Sequence, residues 1–312
     1  MRDAARQSGH TVVELVIASA ILLSVSGAVI GLLHEGLAGT PLLEETTDLH
    51  QRARVAADAL AGELRLAAAG TPSGPLTVFF GAIDPRHPAD PVGTASSAAL
   101  TLRYVPSGGA HSRLAQPLAP MAAVAVVDAF NGCPVGATAC GFVAGTSAVV
   151  FDAAGNADML EVDAIGPGIL TVSSPAGPRA VSYPAGAEIA EAVQVTFFFD
   201  APNRQLRRQE GGGSFVVADN ITSLAFDYFD AAMVPLPLSL FRDGPFTGAG
   251  PMILDADVSR IRAVRATLRL ETGVDTMRGS DPRFFARPGT ATGRRVIPDF
   301  VARVDVSVRN WR

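Results

Sequence analysis

Few residues in this chain stand where they could do chemistry. Glu14 is the only charged residue among the 22 residues from Val12 to Leu33. A carboxylate in so apolar a setting is costly, about 2.5–3.5 kcal/mol at mid-membrane and less near an interface, so its natural chemistry is ion pairing. The five histidines are His10, His34, His50, His87 and His111. None has metal-ligand spacing to another His or Cys, and neither G-x-S-x-G nor H-E-x-x-H occurs. Asp152, Asn156 and Asp158 resemble the start of a calcium loop, but the glycine and terminal glutamate of an EF-hand are missing. A hairpin turn around Gly155–Asn156 accounts for them better. Gly211-Gly212-Gly213 reads as a flexible turn, since no strand–loop–helix context for phosphate surrounds it. No catalytic set, metal site or cofactor is expected, and the chain does not read as an enzyme. Cys133 and Cys140 are the only cysteines, too few for a disulfide scaffold.

The elements that must position these residues are of two kinds. Val12–Leu33 would form a helix about 33 Å long, close to the roughly 30 Å hydrocarbon core of a bilayer. A secretory signal would have a shorter apolar run ending in a small-x-small site. The preceding segment, residues 1–9, is short and polar. It carries Arg2 and Arg6, and no further Arg occurs before Arg52. The positive-inside rule therefore keeps residues 1–9 in the cytoplasm and sends the rest outward. Gly27 and Gly31 form a small-xxx-small pair that either lets helices approach closely or reflects the ordinary tolerance of glycine in such helices.

After the span, Gly36, Gly39 and Pro41 are expected to interrupt the helix. Thr40 would cap a second, amphipathic helix over about 41–69, with Pro41 in its first turn and Glu44, Glu45 and Asp48 at the positive end of its dipole. Leu49, Ala53, Ala56, Leu60, Leu64 and Ala67 give that helix one apolar face, and Gly70 can end it. Beyond Gly70 the periodicity changes to two. Val193–Phe199, Leu224–Tyr228, Val264–Leu270 and Val304–Val308 alternate apolar with polar residues, and Pro202-Asn203 makes a turn. The fold expected is α+β: a long N-terminal helix, the second helical segment, and a large antiparallel β-rich head over 71–312.

The residues Gly9-His10-Thr11-Val12-Val13-Glu14-Leu15 resemble the processing site of type IV prepilins. That family carries a short leader ending in Gly, then usually an aromatic residue, and a Glu just before a long apolar helix. The resemblance implies cleavage by a prepilin peptidase between Gly9 and His10, with methylation of the new amino terminus. His10 departs from the usual Phe. It also implies that Glu14, fifth residue of the mature chain, is the assembly glutamate. A neighbouring helix displaced along its axis would bring its free amine to Glu14 and so set the stagger of a filament. The other reading of Glu14 is a residue at the headgroup boundary with no partner.

Gln51-Arg52-Ala53-Arg54, Asp58, Leu60, Glu63-Leu64-Arg65 and Gly70 resemble the helix that follows the span in PilW-like minor pilins and J-type pseudopilins. Softer likenesses to PilW-like heads occur at Gly141–Gly145, Val149–Asp152, Ala218–Ile221 and Val308–Asn310. The resemblance implies a single-pass protein of the bacterial inner membrane whose head lies in the periplasm. From there it would pass into a cell-surface pilus or periplasmic pseudopilus. Its partners would be other pilins or pseudopilins, the prepilin peptidase, the inner-membrane assembly platform and membrane lipid. The large head suits a minor subunit of a type IV pilus. A type II secretion or DNA-uptake pseudopilin is the alternative, and a membrane-tethered periplasmic enzyme or binding protein the reading from another class.

Two further expectations follow. In an oxidising periplasm Cys133 and Cys140 would be disulfide-bonded to each other, pinning a turn, in preference to two free thiols. The net charge of −5 argues against direct nucleic-acid binding.

Overall fold

The computed structural model describes residues 11–70, 82–90, 94–128, 138–154, 156–174, 179, 181–242, 246–247, 254–278 and 297–308. The side chains at 34–39, 246–247, 254–256 and 276 lie outside that description.

Helix α1 runs from Val12 to Leu66 as one element. The expected break at Gly36–Pro41 is absent: Pro41 stands inside the helix, and Thr40 is not an N-cap. Proline in a helix interior removes one i→i−4 bond and crowds a carbonyl, which costs about 3 kcal/mol. Good helix formers follow it (Leu42, Leu43, Glu44 and Glu45), and the local loss does not split the element. Of the acidic residues assigned to a second helix start, Glu45 does other work. The Glu45 carboxylate accepts from the Thr272 hydroxyl at 2.7 Å and from the Gly273 amide at 2.5 Å.

The stripe Leu49, Ala53, Ala56, Leu60, Leu64 and Ala67 is buried throughout. Polar contacts flank it. Arg52 lies 3.6 Å from the Asp219 carboxylate and donates to the Glu271 carbonyl at 3.4 Å. Glu63 pairs with Arg208 at 2.8 Å. Burial, and next the nearby Glu63 carboxylate, push the Tyr104 hydroxyl up to about 12. After Leu66 the chain turns through Ala67–Gly70. Gly70 has φ +70°, and a Cβ there would lie 2.1 Å from the Val105 carbonyl oxygen, so only glycine fits. The Val105 amide donates to the Ala69 carbonyl across this close approach.

The head is antiparallel in every described strand pairing. Its first strands are β1 (Ile83–Asp84) and β2 (Ala99–Tyr104). Six short strands follow: β3 (His111–Leu114), β4 (Val124–Asp128), β5 (Ser147–Phe151), β6 (Ala157–Gly166), β7 (Ile169–Ser173) and β8 (Glu188–Glu191). They close into a barrel in the order β3-β4-β7-β6-β5-β8. Next come β9 (Val193–Asp200), β10 (Gln205–Glu210) and β11 (Gly213–Ala218), which with β1 and β2 make a five-stranded sheet, β1-β2-β9-β10-β11. A four-stranded sheet, β13-β12-β16-β17, uses β12 (Ile221–Phe229), β13 (Pro235–Leu236), β16 (Ala263–Leu270) and β17 (Phe300–Ser307). The short strands β14 (Phe246–Thr247) and β15 (Leu254–Asp255) pair with each other. A one-turn helix, α2, spans Asp275–Arg278.

The barrel is an insertion. It leaves the five-stranded sheet after β2 and returns at β9, and these two strands are neighbours with Tyr104 opposite Val193. Its interior is filled by Leu114, Val127, Val150, Leu160, Leu170, Tyr183 and Ile189. The Tyr183 hydroxyl donates to Asp158 at 2.8 Å, and burial together with that bond raises its pKa. The expected strands at 193–199, 224–228 and 264–270 are present in β9, β12 and β16, and the one expected at 304–308 is β17, which ends at Ser307. One departs from simple alternation. Thr196 is buried on the polar side of β9 because its hydroxyl bonds that of Thr101 on β2, at 2.9 Å. Beside it the buried Asp84 and Arg103 and the half-buried Arg86 form an ion cluster, with Asp84 2.9 Å from Arg86 and 3.3 Å from Arg103. Burial lowers the Arg103 pKa, and Asp84 opposes that shift.

Candidate functional site

The residues singled out for assembly lie on the first part of α1. Val12–Leu33 is long and apolar enough to cross a membrane, and none of it is buried within the chain. A soluble helix buries an apolar stripe, whereas this segment is apolar on all sides. Ser19 and Ser24 do not spoil that character. Their hydroxyls donate to the Leu15 and Ala20 carbonyls one turn back, at 2.8 Å each. Gly27 and Gly31 lie one turn apart, and a Cβ built on either meets nothing within 4 Å. No neighbour within the chain demands glycine there.

Glu14 has a local partner. The Thr11 amide donates to Glu14 Oε2 at 2.8 Å, the Thr11 hydroxyl donates to the same oxygen at 3.1 Å, and the Glu14 amide donates back to the Thr11 hydroxyl at 3.3 Å. This is a capping box, satisfying two of the amides that a helix start leaves unpaired. The negative charge also sits at the positive end of the helix dipole. Sequence reasoning missed Thr11, although the signal was present as Thr-x-x-Glu directly before an apolar run. The carboxylate is exposed nevertheless.

The other site residues divide clearly. Gly9, His10 and Cys133 lie outside the described residues. Cys140 is buried and disulfide-bonded. It sits in the short turn Thr138–Gly141, where Ala139 and Cys140 both take left-handed backbone, φ 48° and 56°. Such a conformation is unfavourable for residues other than glycine and persists only where the surroundings impose it. Ala139 and Phe142 anchor this turn in the barrel core.

The histidine side chains among the described residues are distributed, not gathered. His50 packs edge-on against Phe300, His87 bonds Gln209, and His111 lies 3.2 Å from Glu188. No group of three His, Cys, Asp or Glu residues among the described residues could hold a metal. Asp152 and Asn156 form a turn: Asp152 Oδ1 accepts from the Ala154 and Asn156 amides, and Asn156 Nδ2 donates to Oδ2 at 2.8 Å. Gly211 and Gly212, both at positive φ, make the tight connection of the β10–β11 hairpin. No protein-family model matches this sequence, and no curated protein matches it.

Proposed function

We propose that this chain is a filament subunit of the pilin class, a PilW-like minor pilin anchored in the inner membrane by α1 and carrying its β-rich head into the periplasm. One observation supports the reading above others: an exposed 22-residue apolar span bearing a single carboxylate at its start. Within the single chain that carboxylate caps its own helix through Thr11. In a filament it would receive the amine of a neighbouring subunit, where an unpaired charge in a low-dielectric setting is expensive. On this reading a prepilin peptidase cuts between Gly9 and His10. Partner subunits pack on the face that includes Gly27 and Gly31, with the assembly platform supplying the energy of extraction from lipid.

The test is the ratio of this protein in sheared filaments to that in membranes. Glu14→Ala should leave insertion intact, since it makes the span more apolar, and lower the ratio about tenfold or more, the equivalent of one pairing lost. Mass spectrometry of the same samples should find a mature chain that begins at His10. A chain retaining Met1 in cells with an active peptidase, or an unchanged ratio for Glu14→Ala, overturns the assignment.

A further inference from the structure

The insertion of the barrel creates a cleft of about 400 Å³ where it meets the five-stranded sheet. One wall belongs to the barrel, where Ser147 of β5 stands directly opposite Glu161 of β6. The other wall belongs to the sheet. There Gln194 and Thr196 follow one another on the same face of β9, and Gln209 of β10 is the register partner of Thr196. The crossover from β8 to β9, with Glu191, forms the back. The surface is more polar than apolar, unlike the filled interior of the barrel.

The two glutamines are fixed in orientation by groups behind them. Gln194 Oε1 accepts from Arg103 Nε at 2.8 Å, and Arg103 is itself held by Asp84. Gln209 Oε1 lies 3.0 Å from His87 Nε2. The Ala89 amide donates to His87 Nδ1 at 3.1 Å, so Nδ1 is the acceptor and Nε2 carries the proton that Gln209 accepts. Each carboxamide thus has its oxygen occupied. Its NH2 group is left to donate and makes no hydrogen bond to a described residue. Across the cleft the Ser147 hydroxyl and the Glu161 carboxylate are likewise without such bonds. Glu191 spends one oxygen on the Ala110 amide, at 3.0 Å.

We propose that this cleft binds a saccharide. One wall presents two oriented donors and the other a hydroxyl and a carboxylate, and a sugar hydroxyl is the group that donates and accepts at once. An apolar ligand would strand these polar groups, each at the cost of an unmade hydrogen bond. A metal ion would gain nothing from two NH2 donors. The carboxylates Glu161 and Glu191 favour a sugar bearing an amine. Preset side-chain orientation is what lets a small polar site bind without a large ordering cost. The assignment is independent of the pilin reading, since it rests on the head alone.

Equilibrium dialysis of the full chain, in a detergent without a sugar headgroup, tests it with the glucosamine tetramer and the N-acetylglucosamine tetramer as probes. Saturable binding with Kd of about 1 mM or tighter is expected for the glucosamine tetramer. Gln209→Ala should weaken it about tenfold and Ser147→Ala, on the opposite wall, about threefold, each loss being that of one hydrogen bond. Glu161→Gln should weaken the amine-bearing tetramer and spare the acetylated one. Ser147→Ala keeps the test open if Gln209→Ala fails to fold. No saturable binding of either tetramer up to about 10 mM would overturn the proposal. So would affinities unchanged in both wall variants, or equal binding of tetraglycine with the same dependence on Gln209.

Discussion

The two ends of α1 are helices of opposite design. From Val12 to Leu33 the apolar side chains point in every direction and none is buried within the chain. From Leu49 to Ala67 apolar residues recur every three or four positions, and the residues of that stripe are buried within the chain. Charge already separates these segments, with Glu14 alone in the first and five charged residues in the second; periodicity tells how each is used. A stripe finds its partner inside the same chain, whereas an all-round apolar surface calls for an apolar medium or other helices. The contrast also assigns different work to one amino acid. A leucine in the stripe stabilises the fold, and one in the span does not.

The largest effect should come from testing that contrast directly. Leu60 is fully buried and Leu22 is 67% exposed. Leu60→Ala should destabilise the head by about 2–5 kcal/mol, through lost transfer energy and the cavity left behind. Leu22→Ala should change head stability by less than about 0.5 kcal/mol. Thermal unfolding followed by near-UV circular dichroism of the detergent-solubilised chain measures both. Equal shifts for the two variants would erase the distinction.

That stripe and the span were legible because each depends on a local pattern. Pro41 reads as a boundary because proline's local cost is plain in sequence, while the continuity of the helix on both sides is not. The head shows the same division. Strands β9, β12, β16 and β17 announced themselves by alternation, and the Pro202-Asn203 turn by composition. Barrel closure did not. It depends on β8 pairing with both β3 and β5, contacts between residues such as His111 and Ala190 that lie far apart in sequence. Gln194 and Gln209 were invisible as a site for the same reason: only the pairing of β9 with β10 brings them onto one wall.

A smaller effect should appear in the barrel, as an indirect check on which side of the membrane the span delivers the head. Cys140 is disulfide-bonded, and Cys133 is the only other cysteine in the chain. A bond between them closes a short loop, so its stabilisation should fall near the low end of the ~2–4 kcal/mol range. The double variant Cys133→Ser, Cys140→Ser should therefore lose about 2 kcal/mol and leave membrane insertion unchanged. Alkylation of the folded, unreduced protein extracted from cells should label neither cysteine. Full labelling of both would mean that the head does not reach an oxidising compartment, and the orientation assigned to the span would fall with the disulfide.

The smallest effect is the most informative about Glu14, because two roles meet on one carboxylate. In the single chain it closes a capping box with Thr11. In the proposed filament its charge would receive a neighbour's amine. Thr11→Ala removes the hydroxyl from the box and keeps the charge, at a cost of about 1 kcal/mol confined to the first turn of the helix. Glu14→Gln keeps an oxygen that can accept from the Thr11 amide and removes the charge. If pairing across subunits is what matters, Thr11→Ala should leave the ratio of filament to membrane protein within about twofold of wild type, about 0.4 kcal/mol. Glu14→Gln should then fall nearly as far as Glu14→Ala. The reverse order, with Thr11→Ala severe and Glu14→Gln mild, would make Glu14 a helix cap whose influence on assembly is only to keep the first turn wound. In that case the charge at the start of the span would be matched to its own helix dipole, and the stagger of the subunits would have to be set elsewhere on α1.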